Sequence, residues 1–116
     1  MTITLYHNAR CGKSRDTLAL LTEKGIAPEI VAYLDTPPDA ATLRGLLQKL
    51  GFTDARALMR KGEAEYKELN LADPSLSQDA LINAMVANPK LIERPIVVNR
   101  DKAALGRPPE NVLAIL

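Results

Sequence analysis

Apolar residues follow two rhythms along this chain. Ile3, Leu5 and His7 alternate with Thr4 and Tyr6, and the β-branched and aromatic content of residues 2–7 predicts a short buried strand. A polar loop over residues 8–13 follows. Ser14 is then placed to N-cap a helix whose apolar positions Leu18 and Leu21 share one face. Gly25 stops that helix: as C′ it sets Ile26 opposite Leu21, the hydrophobic contact of a Schellman motif. The next apolar run, Ile30 to Leu34 after Pro28, predicts a second strand, so residues 2–34 spell a βαβ unit with a right-handed crossover.

From residue 37 the spacing turns helical. Thr36-Pro37-Pro38 signals a start, Leu43, Leu46, Leu47 and Leu50 recur at i, i+3, i+4 and i+7, and Gly51 signals a stop. Asp54 is a cap for a short helix carrying Ala57, Leu58 and Met59 up to Gly62. A weaker helical stretch runs from Glu63 to Leu69, and Ser77 opens another helix with Leu81, Ile82, Met85 and Val86. After Arg94-Pro95 the run Ile96-Val97-Val98 predicts a third strand, Asn99-Arg100-Asp101 a tight turn, and Lys102 to Leu105 its hairpin partner. Pro108-Pro109 opens a last helix ending at Leu116. The order predicts an α/β fold, a small mixed sheet with helices on its faces and a helical insertion between strands two and three. With no internal repeat and no linker, a single domain over residues 1–116 is expected.

Composition narrows the chemistry. Apolar residues make up 47% of the 116 and charged ones 25%, the balance of an ordinary globular chain. With one Phe, three Tyr and no Trp the core is aliphatic, and aromatic platforms for stacking nucleic-acid bases are lacking. A formal charge of +1 supplies no broad field for nucleic acid or a membrane surface, so neither is an expected partner. The N-terminal segment has no basic leader, no apolar run approaches a membrane span, and the lone thiol suits a reducing compartment; a cytoplasmic protein is expected.

That thiol, Cys11, lies in Tyr6-His7-Asn8-Ala9-Arg10-Cys11-Gly12-Lys13-Ser14-Arg15, among cations and at a helix start. Such surroundings lower a thiol pKa from about 8.5 to roughly 3.5–7.5, which makes a nucleophilic thiolate. Backbone N–H groups of Gly12, Lys13, Ser14 and Arg15 would form an anion seat; Gly12 allows close backbone approach, and Ser14 caps the helix or bonds the sulfur. His7 is either a satisfied core residue or a group that orients the thiolate. A cysteine phosphatase needs Arg six residues after the nucleophile, where Thr17 stands, and a dithiol oxidoreductase needs Cys where Ser14 stands. Redox chemistry at Cys11 would therefore draw its second thiol from outside, such as glutathione or glutaredoxin. No resident cofactor or metal is expected.

Topology suggests the rest of the site. If strand three runs antiparallel beside strand one, Arg94-Pro95 lies beside Cys11, and strand four returns Gly106-Arg107-Pro108 to the same edge. Guanidinium forks suit tetrahedral oxyanions. Arg60 joins them only if the insertion folds over that edge.

Four motifs in order, His7-Asn8-x-x-Cys11-Gly12-x-Ser14-Arg15, Ala57-Leu58-Met59-Arg60-Lys61, Glu93-Arg94-Pro95-Ile96-Val97-Val98 and Gly106-Arg107-Pro108, resemble the glutaredoxin-coupled ArsC arsenate reductases over the whole chain. Within that family the chain is most similar to a short, YfgD-like subgroup. The resemblance implies a thioredoxin-like fold, Cys11 attacking arsenate, and Arg60, Arg94 and Arg107 binding the oxyanion. It further implies His7, Gly12, Ser14, Arg15 and a cis Pro95 in support, glutathione as co-substrate and glutaredoxin as reductant. Ala9 and Glu93 stand where other residues are more usual in the family. Two alternatives stand beside this reading: a regulator that binds RNA polymerase, as the related Spx-like branch of the fold does, and a general glutathione-dependent thiol oxidoreductase.

Overall fold

The computed structural model describes residues 2–116. The chain forms two compact units, one of the residues up to Thr36 with Arg94–Leu116, the other of Pro37–Glu93.

The first unit is built on a mixed four-stranded sheet. Strands β1 (Ile3–Tyr6), β2 (Glu29–Val31), β3 (Ile96–Asn99) and β4 (Lys102–Leu105) lie in the order β2-β1-β3-β4. β2 runs parallel to β1, and β3 antiparallel to it, as the sequence reading supposed. The register pairs Leu5 with Val97 and Tyr6 with Ile96, so the start of β3 stands beside the end of β1. Ile96 in turn pairs with Leu105, which brings the end of β4 to the same edge.

Helix α1 (Gly12–Glu23) connects β1 to β2. Its end closes as a Schellman motif: Gly25 has φ of 77°, its N–H donates to Thr22 O, and Ile26 N–H donates to Leu21 O at 2.9 Å. Ile3, Leu5, Leu21, Val97 and Val112 form the buried core, with Leu18, Ile26 and Ile115 packed against it. Each such side chain contributes about 1.5–3 kcal/mol by leaving water. Asn99 Nδ2 donates to Ile115 O at 2.6 Å and clips the C-terminal segment to the sheet.

The second unit packs α2 (Ala40–Leu50) against α4 (Gln78–Ala87), with the short α3 (Ala64–Glu68) between them in sequence. The apolar repeats are its core: Leu43, Leu46, Leu47, Leu81, Ile82 and Met85 are buried. Asp39 caps α2 through Thr42 N–H at 2.8 Å and Ser77 caps α4 through Ala80 N–H at 3.1 Å.

Several boundaries differ from expectation for local reasons. The first helix begins at Gly12, with Cys11 and not Ser14 as its N-cap, because Cys11 is extended (φ −92°, ψ 125°) and Ser14 already lies in the first turn. β2 ends at Val31, three residues early, because its partner β1 ends at Tyr6, and Asp35 and Thr36 N–H then turn back onto Ala32 O. Pro37 and Pro38 precede α2 rather than opening it. The helix after Asp54 is a 3-10 turn over Ala55–Leu58 only, since Met59 is extended and bridges Ile92. β3 keeps Asn99, leaving Arg100-Asp101 as the turn. The last helix, Pro109–Ile115, is wound as 3-10, a form common in short terminal pieces.

Candidate active site

Cys11 is half-buried at the N-cap of α1. Its side chain makes no conventional cap hydrogen bond, yet the N–H groups of Ser14 and Lys13 face the sulfur, as cap donors face an N-cap oxygen. The Arg94 guanidinium stands near the sulfur and its positive charge favours the thiolate. Burial resists ionisation, but Ser14 N–H, Arg94 and Lys13 N–H together outweigh it and hold the Cys11 thiol below the ordinary cysteine value. Arg94 Nε is buried with no hydrogen-bond partner, so donor capacity remains beside the sulfur.

Ser14 is buried and ties the loop together instead of capping. Its Oγ lies 2.7 Å from His7 Nδ1 and accepts Asn8 N–H at 3.0 Å. Since a hydroxyl oxygen can accept twice and donate once, the direction of the His7–Ser14 bond follows the ring tautomer. Burial first, and the Arg15 charge second, hold the His7 pKa below its usual value and favour the neutral ring. Of the two sequence readings of His7, the geometry gives it a place in the loop network. Arg15 Nη1 donates to Ala9 O at 3.0 Å and braces the loop's other side. Beside Gly12 the only near neighbour of an added Cβ would be Arg15 Nη2 at 3.8 Å, which leaves that face of the backbone open.

His7 yields a pH prediction. Its folded pKa lies below the unfolded one, so on the acid side the unfolded chain takes the proton first. The stability it supports is therefore complete above the usual histidine pKa of about 6.5 and falls as pH drops below it. An NMR titration of His7 is expected to show a midpoint below that value; one at or above it would contradict the neutral Ser14 pair.

Across the sheet edge, Arg94 precedes a cis bond to Pro95, as the resemblance implied, and a second cis bond joins Arg107 to Pro108. Arg107 Nη1 donates to Arg94 O at 3.2 Å, and Gly106 N–H donates to Pro95 O at 2.9 Å. The structure thus brings Arg94 to Cys11 and Arg107 to Arg94. Arg60 belongs to the second unit, where it pairs with Glu63 and, through Nε at 3.4 Å, with Glu93. Glu63 was not singled out by sequence, although its i, i+3 spacing from Arg60 is the signal for such a pair. Thr17 and Gly106 were also passed over as site residues, since neither carries obvious chemistry. Among the described residues no group of three or more His, Cys, Asp or Glu side chains could hold a metal ion. No helix of the described residues is long and apolar enough to cross a membrane.

The site holds a cysteine at a helix N-terminus beside two linked arginines, and the model of the ArsC family matches residues 6–115. The chain belongs to the ArsC family. YfgD of Escherichia coli strain K12 is 65% identical over 114 residues, covering 98% of this chain and 96% of that protein. The arsenate reductase of Haemophilus influenzae is 50% identical over 116 residues, covering all of both chains. Among solved structures, the arsenate reductase from Vibrio cholerae matches with a TM-score of 0.98 at 56% identity, over 100% of this chain and 98% of that one. The fold is accordingly the thioredoxin-like fold of ArsC proteins.

Proposed function

We propose that this ArsC-family protein is an arsenate reductase that works through a covalent Cys11 adduct and takes its electrons from glutathione and glutaredoxin. The observation that carries this reading is the half-buried Cys11 thiol, its pKa held below the ordinary value by Arg94 and two helix N–H groups, in a chain without a second cysteine. Relatives named arsenate reductase and matched over essentially the full chain support the substrate.

Cys11 sulfur attacks the arsenic of arsenate; an S–As bond forms, an As–O bond breaks, and the departing oxygen leaves as water after taking a proton. Arg94 and Arg107 hold the remaining oxygens and offset their charge, with the helix N–H groups facing the reacting end. Arg60 is proposed as a third ligand of the oxyanion on the strength of the resemblance. A glutathione thiol then displaces a second oxygen as water. The glutaredoxin thiolate attacks the glutathione sulfur, forming a disulfide and leaving the pair of the broken S–As bond on arsenic, which passes from As(V) to As(III). Hydrolysis frees arsenite and returns Cys11 as thiolate. In sum, arsenate and two thiols give arsenite, one disulfide and one water.

The test is arsenite release with glutathione and glutaredoxin supplied together and singly. Turnover is expected only with both. Turnover undiminished without glutaredoxin would remove it from the mechanism. Activity on glutathione mixed disulfides with no arsenite formed would instead assign a general thiol oxidoreductase.

A further inference from the structure

Helix α1, the Arg94-Pro95 corner and the end of β4 meet at one tight point. An ideal Cβ on Gly106 would lie 2.4 Å from Thr17 Oγ1, 2.7 Å from Pro95 Cγ and 3.3 Å from Thr17 Cγ2. Real side-chain carbons do not come so close, so the absence of a side chain at 106 is what allows the three segments to touch. Gly106 N–H donates to Pro95 O at 2.9 Å, which fixes the contact in the direction of the sheet. On the helix side, Thr17 is fully buried and its hydroxyl donates to Lys13 O at 2.9 Å.

Every group that acts on the sulfur is anchored within a turn of this point. Lys13 and Ser14, whose N–H groups face Cys11, sit in the turn that Thr17 closes. Arg94 directly precedes Pro95, and Arg107 directly follows Gly106. We propose that Thr17 and Gly106 are positioning residues for the Cys11–Arg94 pair, the close approach of Thr17 and Pro95 to Gly106 setting how near the guanidinium comes to the sulfur. An added Cβ must be relieved by about 1 Å, the gap between 2.4 Å and an ordinary contact of 3.4 Å, and it is wedged between Thr17 and Pro95. Relief therefore parts α1 from the Arg94-Pro95 corner. A displacement of that size weakens the attraction between the guanidinium and the sulfur. Neither residue touches the reacting atoms. The inference rests on Cys11 being the reactive thiol of the proposed function, and not on arsenate being its substrate.

The experiment is the pH dependence of Cys11 alkylation by iodoacetamide, with a thermal melt of each variant. In Gly106→Ala the titration midpoint is expected to rise by up to about one pH unit, since an opposite charge in contact moves a pKa by roughly 1–3 units and only part of that contact is lost. Thr17→Val, which keeps the branched shape but drops the bond to Lys13 O, is expected to move it the same way by less. In an Arg94→Ala background neither substitution should add a further rise. A purely structural role would lower the melting temperature and leave the midpoint where it was, and that result would overturn the proposal. So would an undiminished rise without Arg94, because the contact would then act by another route. Should Gly106→Ala not fold, Thr17→Val decides alone. If the protein proves inactive on arsenate, the alkylation result still stands and is read separately.

Discussion

Cys11→Ser is expected to lower arsenite release by at least about a thousandfold, the scale seen when a covalent nucleophile is removed. The replacement keeps the shape of the loop and strengthens the helix start, since serine is a better N-cap than cysteine. What it removes is the thiol: the N–H groups and guanidinium that lower the Cys11 pKa leave a hydroxyl, far less acidic, un-ionised at neutral pH. No second cysteine exists to take over. Arsenite release measured with both thiol donors, alongside a melt no lower than the parent's, checks the expectation. A serine variant that keeps parental turnover would end the covalent mechanism.

Arg94→Ala has the next largest expected effect, and it should appear in two measurements. Hydrogen bonds to charged groups contribute about 1.5–3 kcal/mol each, so losing one to the oxyanion lowers kcat/KM by roughly 10- to 150-fold. The thiol midpoint should rise as well, because the positive charge of Arg94 near the sulfur lowers the thiol pKa. The sign follows from linkage. Held below its unfolded value, the thiolate supports the fold above the ordinary thiol pKa, and that support is lost as pH falls through the lowered one. Without Arg94 the window between the two pKa values narrows, so alkylation at neutral pH slows. Arg107→Ala should also weaken arsenate binding, both directly and by releasing the Arg94 carbonyl it holds. An Arg94 variant with parental arsenate affinity and thiol midpoint would count against its assignment.

Much of the fold is written in local signals. Alternation marked β1 and the i, i+3, i+4 repeats marked α2 and α4, because each pattern matches the period of the element that buries it. Gly25 marked the end of α1 because a left-handed residue is needed there, and Asp54 and Ser77 marked starts because helix N–H groups need acceptors; Thr36-Pro37-Pro38 marked only the neighbourhood of α2, whose cap is Asp39. The boundaries that moved are those fixed by partners distant in sequence. Val31 ends β2 because β1 ends, and Met59 leaves its helix to pair with Ile92.

For the site, the sequence by itself singled out the candidate nucleophile, its cationic loop and, for an antiparallel third strand, two arginines at one edge. A lone cysteine and absent motif positions are facts of the chain, and strand order follows from few rules. Only the tertiary structure decided that Cys11 is itself the N-cap, that Ser14 serves His7 and Asn8 instead, and that Arg94 acts on the sulfur while Arg107 holds its carbonyl. The weight carried by Thr17 and Gly106 was likewise invisible in the chain. A threonine in a helix and a glycine after a strand have no chemistry of their own, and their meaning arises only where the Thr17 and Pro95 side chains close on the Gly106 backbone more tightly than a Cβ permits.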